Sequence, residues 1–128
     1  MTTAKEHAMH DDFENLLAVP VAGAEIDLVN EEFQRVAFLA KCLSDENRLK
    51  ILFCISRGKK AVGSIVEELG LSQPLVSHHL KELKRSLLVK IQRSGPFIYY
   101  ELSNPAILDA IKNLDSVAKD LLAARTTF

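Results

Sequence analysis

Hydrogen-bonding side chains and cations fall in a fixed order along Gly70-Leu-Ser-Gln-Pro-Leu-Val-Ser-His-His-Leu-Lys-Glu-Leu-Lys-Arg85. Advancing each residue by about 100° from Leu71 gathers Gln73, Ser77, His78, Lys81, Lys84 and Arg85 on one half of a helical wheel. Leu75, Val76, His79, Leu80 and Leu83 fall on the other half. Amides, hydroxyls and imidazoles hydrogen-bond base edges, whereas Lys and Arg neutralise phosphates. The polar half runs from the first kind of group to the second, the order a helix needs when its leading end enters a major groove. An ordinary solvated surface helix fits the same wheel, because amphipathic periodicity is common.

Whether these groups can do that chemistry depends on the elements that hold them. Gly70 suits the left-handed residue closing a preceding helix, and Ser72 suits the N-cap of the next. The two predict a tight turn between helices, with the second running over Ser72–Ser86. Upstream, Ile65, Val66 and Leu69 form the inner side of a short helix over Ala61–Leu69. Before it, Ser44 offers an N-cap, with Asp45 and Glu46 in the first turn and Leu49, Leu52, Phe53 and Ile55 leading to Gly58. A further helix is expected over Asn30–Leu43, capped by Asn30 and apolar on more than one side through Phe33, Val36, Ala37, Phe38, Leu39 and Ala40.

After Arg85 the period changes from helix to strand. Val89 and Ile91 alternate with Lys90 and Gln92, Arg93-Ser94-Gly95-Pro96 supplies turn chemistry, and Ile98, Tyr100 and Leu102 alternate with Phe97, Tyr99 and Glu101. Asn104 as cap and Pro105 as first residue open a last helix over Asn104–Ala124. In it Ile107, Ile111, Leu114, Ala118 and Leu121 recur at steps of four and three, as in a paired helix seam. Helices followed by a β-hairpin, with the helix-turn-helix just before the hairpin, make a mainly α fold of the winged helix-turn-helix kind, dimerising through its N- and C-terminal helices. In such a fold Lys90, Arg93 and Ser94 reach flanking phosphates or a minor groove.

The overall composition first points away from nucleic acid, since the 128 residues carry a net charge of −1. The charge is segregated, however. Residues 1–32 hold one Lys against eight Asp and Glu, and residues 48–93 hold ten Lys and Arg against three Glu. A phosphate would feel the second block. The length fits one domain, divided here into an acidic, loosely ordered arm over 1–28 and a winged helix-turn-helix domain with flanking helices over 29–125. No apolar run approaches the roughly 20 residues of a membrane span, and Met1–Glu14 has neither a basic flank nor an apolar signal core. A cytoplasmic protein without a membrane partner is therefore expected. No Gly-rich phosphate loop or hydrolase nucleophile motif occurs, so an enzyme is not expected.

Three segments together resemble the ArsR/SmtB family of bacterial winged-helix repressors: Leu43-Ser-Asp-Glu-Asn-Arg-Leu-Lys-Ile-Leu52, Leu71-Ser-Gln-Pro-Leu-Val-Ser-His-His-Leu-Lys-Glu-Leu83 and Gly95-Pro-Phe-Ile-Tyr-Tyr-Glu-Leu102. The resemblance spans about residues 30–122. It implies a homodimeric regulator that binds inverted-repeat double-stranded DNA and releases it on sensing a metal or another chemical signal. The chain departs from the family at its sensor sites. The cysteine pair of the metalloid-sensing members is absent, because Ala61–Leu69 holds no cysteine. The zinc-sensing members use Asp and His of the last helix, and here Asp109, Asp115 and Asp120 have no histidine beside them. A cofactor is therefore left unassigned.

Cys42 and Cys54 are the remaining sensor candidates. Lys50 and Arg57 share a helical face with Cys54, and nearby cations lower a thiol pKa. Oxidant, sulfur-species or thiophilic-metal sensing is one reading of this pair. Two buried apolar residues is the other. His7 and His10, beside Asp11 and Asp12, could share a helical face, or belong to a polar tail. Besides a repressor, two readings stay open: a winged-helix module for protein contacts, which would not need clustered cations, and a DNA-binding regulator with no sensor of its own.

Overall fold

A computed structural model describes the backbone of residues 23–125 and the side chains from Asn30 onward. Its elements are α1 (Gly23–Cys42), α2 (Glu46–Ser56), α3 (Val62–Leu69), α4 (Gln73–Arg85), β1 (Val89–Ser94), β2 (Phe97–Leu102) and α5 (Ala106–Arg125). Five helices and one antiparallel hairpin thus make up the described residues, in the order of a winged helix-turn-helix. The chain divides into two units after Lys41, and each is taken by itself.

In the first unit, α1 begins at Gly23 instead of Asn30. Asn30 lies inside this helix and does not cap it, and residues 23–28 are within its bounds. Of the expected arm, residues 1–22 fall outside the described residues, and His7 and His10 with them.

In the second unit Asp45, not Ser44, caps α2. Its backbone is extended and its Oδ1 accepts a hydrogen bond from the Arg48 amide at 3.0 Å. Two adjacent capping residues compete for one place, and Asp45 is the one whose oxygen reaches the third amide onward. The core is built from Ile51, Leu52 and Ile55 of α2, Ile65 of α3, and Val76, Leu80 and Leu83 of α4, all fully buried. Each such side chain gains about 1.5–3 kcal/mol from leaving water. That gain decides the fold locally, because helices as short as α3 and α4 are marginal alone.

The hairpin pairs Val89 with Leu102 through to Ser94 with Phe97, leaving Gly95 and Pro96 as the loop. Gly95 takes φ +59° at the first loop position, where a side chain would be strained. Asn104 caps α5 as expected, its Oδ1 accepting from the Ala106 amide at 2.9 Å, although the helix proper starts after Pro105. Among the described residues no helix is long and apolar enough to cross a membrane.

Candidate nucleic-acid interface

The turn that aims α4 is three residues long. Gly70 closes α3 at φ +66°, its amide donating to the Val66 carbonyl, and Ser72 opens α4 by accepting from the Leu75 amide at 3.4 Å. Pro74 in the first turn of α4 needs no intrahelical partner for its nitrogen. Burial then sorts the wheel as the sequence predicts. Val76, His79, Leu80 and Leu83 are buried, while Ser72, Gln73, Ser77, His78, Lys81, Lys84 and Arg85 are exposed.

The exposed cations are not equivalent. Arg85 lies 3.4 Å from Glu82, one turn back on α4, and Lys90 lies 3.8 Å from Glu101 across the hairpin. Among the described residues Lys81, Lys84 and Arg93 have no carboxylate within ion-pair distance, so their charge faces solvent undiluted. Strand alternation adds a second distinction. Lys90 and Ser94 share one face of β1 with Gln92, whereas Arg93 lies on the opposite face with Val89 and Ile91. The two hairpin cations Lys90 and Arg93 thus lie on opposite faces of β1. The hairpin tip also carries an exposed Phe97, whose ring lies 6.3 Å from that of Tyr99.

His79 is a buried, hydrogen-bonded core residue, as its place on the wheel predicts. Its Nδ1 accepts from Arg48 Nε at 3.3 Å, and its Nε2 lies 3.7 Å from Asp45 Oδ1. Burial pushes the imidazole below its ordinary pKa; Asp45 opposes this, and Arg48 and His78 reinforce it. Arg48 and Asp45 were assigned no role in the site from sequence. They reach His79 across a long stretch of chain, and no local periodicity reports such a contact.

Both cysteines are buried free thiols. The expected activation of Cys54 by Lys50 and Arg57 does not occur: Lys50 pairs with Glu46 at 3.3 Å, and Arg57 with Glu68. Cys54 Sγ instead donates to Glu68 Oε2 at 3.2 Å and lies 3.5 Å from Lys60 Nζ, which also pairs with Glu68. Burial, then the Glu68 hydrogen bond, raise the thiol pKa against the pull of Lys60. The carboxylate that sets this environment is fourteen residues away in sequence. Among the described residues no three His, Cys, Asp or Glu side chains are grouped to hold a metal ion.

Residues 45–90 match the model of the bacterial regulatory protein arsR family. The chain is 39% identical over 71 residues to the transcriptional repressor SdpR of Bacillus subtilis, covering 56% of this chain and 79% of that one. It is 33% identical over 85 residues to the arsenical resistance operon repressor of Staphylococcus aureus, covering 66% and 82%. A solved neighbour is the homodimeric winged helix-turn-helix DNA-binding domain of Mb0332 from Mycobacterium bovis, with TM-score 0.61 and 25% identity over 80% of this chain and 91% of that one. With its helix-turn-helix and hairpin in place, this chain belongs to the ArsR family of winged helix-turn-helix transcriptional regulators.

Proposed function

We propose that the protein is a cytoplasmic, homodimeric repressor, not an enzyme, that holds an inverted-repeat operator and lets it go in response to a chemical signal. The observation that carries this reading is the exposed side of α4, polar at its leading end and basic behind, set by the Gly70–Ser72 turn. Ser72, Gln73, Ser77 and His78 read bases. Lys81, Lys84 and Arg93 hold phosphates, and Arg85 and Lys90 join them by exchanging Glu82 and Glu101 for the DNA backbone. Lys90 and Ser94 approach from one face of the hairpin and Arg93 from the other. The dimer is supported by the apolar residues that α5 leaves exposed, Leu114, Val117, Leu121 and Leu122, and by Phe33, Val36 and Phe38 of α1.

Titration of a labelled inverted-repeat duplex, selected by the protein from a random pool, tests the reading. Lys84→Ala should weaken all sequences alike and flatten the salt slope by about one unit. Ser77→Ala and His78→Ala should instead change which bases are preferred. A salt slope untouched by Lys84→Ala removes the phosphate assignment. Failure to select any duplex favours the protein-contact alternative. Repeating the titration with metals, peroxide and polysulfide searches for the signal, with Cys42 and Cys54 as the thiols to follow by intact mass.

A further inference from the structure

The outward side of α4 can read DNA only if the helix is held at one roll angle about its axis. Its inward side is mostly aliphatic, through Val76, Leu80 and Leu83, and aliphatic contacts are non-directional. The directional tie is His79. It sits directly after His78 in the chain, is 6% exposed, and is gripped by two groups at the start of α2.

Arg48 Nε donates to Nδ1 at 3.3 Å, which leaves the ring proton on Nε2, facing Asp45 Oδ1 at 3.7 Å. Asp45 is itself fixed, because the same Oδ1 caps α2 through the Arg48 amide. One residue pair at one helix terminus therefore addresses both nitrogens of a single imidazole on α4, Arg48 through a hydrogen bond and Asp45 through a longer electrostatic approach. A roll of ~10° about an axis ~5–6 Å from the side-chain tips moves those tips by about 1 Å. Hydrogen bonds to base edges tolerate only a few tenths of an ångström.

We propose that His79 is a positioning residue for DNA reading: its neutral ring, held by Arg48 and Asp45, fixes the roll of α4, and its protonation releases the helix, so that operator affinity falls in acid. This rests on α4 being the DNA reader. When Nδ1 takes up a proton it no longer accepts from Arg48, and an imidazolium then faces a guanidinium across the former hydrogen bond. Asp45 gains an ion pair with the ring but remains engaged with the Arg48 amide. The charged groups bearing on His79 are Asp45 and Arg48 from the start of α2 and His78 from α4 itself; among the described residues α3 and β1, which also pack on α4, bring none. Burial favours the neutral ring at neutral pH.

The test compares the full-length protein with His79→Gln on the selected duplex and on a scrambled duplex, from about pH 7.5 to about pH 5, a window that reaches below the ordinary imidazole pKa because burial lowers that of His79. Glutamine can accept from Arg48 and donate to Asp45 but does not titrate. Relative to His79→Gln, the wild type should lose about fivefold to tenfold more operator affinity across this range, with little difference on the scrambled duplex. The remaining ionisable groups are common to both proteins. Arg48→Lys, which leaves His79 in place but lacks the Nε donor, should bind the operator more weakly at neutral pH and share the flattened profile, which keeps the test open if His79→Gln fails to fold. Parallel profiles for wild type and variants overturn the proposal, as does an equal loss on the scrambled duplex. Failure to select any duplex at neutral pH removes the DNA-reading role on which it rests.

Discussion

Replacing Leu87 by glycine should stabilise this protein, although it deletes a large apolar side chain. Leu87 follows the end of α4 at φ +66°, the one described residue other than glycine with positive φ. Its amide donates to the Lys84 carbonyl and the Leu88 amide to the Leu83 carbonyl, both at 3.0 Å. These two bonds define the Schellman helix ending, whose left-handed position is usually glycine. Leu83 and Leu88, at the two positions whose apolar side chains usually accompany this motif, are both buried. A side chain in that conformation costs about 1–2 kcal/mol, and glycine returns about 0.5–1 kcal/mol of it as unfolded-state entropy. Leu87 is 80% exposed, so little buried area is forfeited. The net gain is about 0.5–1 kcal/mol. With an m-value of about 1–3 kcal/mol per molar urea, the midpoint should rise by about 0.2–1 M at unchanged m. Protein concentration must be held constant, because a dimer's midpoint depends on it. Leu87→Ala keeps the Cβ and should leave the midpoint within about 0.2 M of the wild type. A Leu87→Gly midpoint at or below that of Leu87→Ala refutes the reasoning.

Three further outcomes follow from the same contacts. Cys54, buried and hydrogen-bonded to Glu68, should alkylate far more slowly than a free thiol in the native protein and at the free-thiol rate in urea; fast native labelling by a maleimide would contradict the raised thiol pKa. Asp45→Ala should lower stability at neutral pH, and the deficit should shrink as pH falls. The Asp45 carboxyl is held below its ordinary 3.8, by the Arg48 amide above all; its contribution is full above 3.8 and lost as pH drops through the native value. Acid urea titrations that keep a constant gap between the two proteins would refute this. Leu114→Glu with Leu121→Glu, at two exposed seam positions of α5, should convert the dimer to monomer in sedimentation equilibrium while leaving the helical circular dichroism intact; an unchanged mass would move the interface elsewhere.

The order of elements, the Gly70–Ser72 turn, the presence of the hairpin and the two sides of α4, with His79 inside and His78 outside, are legible in the chain; the strand register is not, since Arg93 and Ser94 pair within β1 and only Gly95 and Pro96 form the loop. The legible features follow from interactions within a few residues: helical spacing, caps, alternation and turn glycines, which a linear chain displays directly. Local rules wavered where neighbours offered equivalent choices, as with Ser44 beside Asp45 and with Asn30 inside an already helical stretch. What the buried polar groups meet, and which hairpin charge is free, depend on the closed fold. Lys90 loses its independence to Glu101 across the hairpin, Cys54 is governed by Glu68, and His79 is held by Arg48 from α2. The hairpin and Glu68 contacts depend on pairings set by the register and on a partner from another helix, and the His79 contact spans thirty-one residues. Electrostatic energies vary with separation and burial, not with sequence spacing, so the chemistry of these groups becomes legible only once the chain has closed around them.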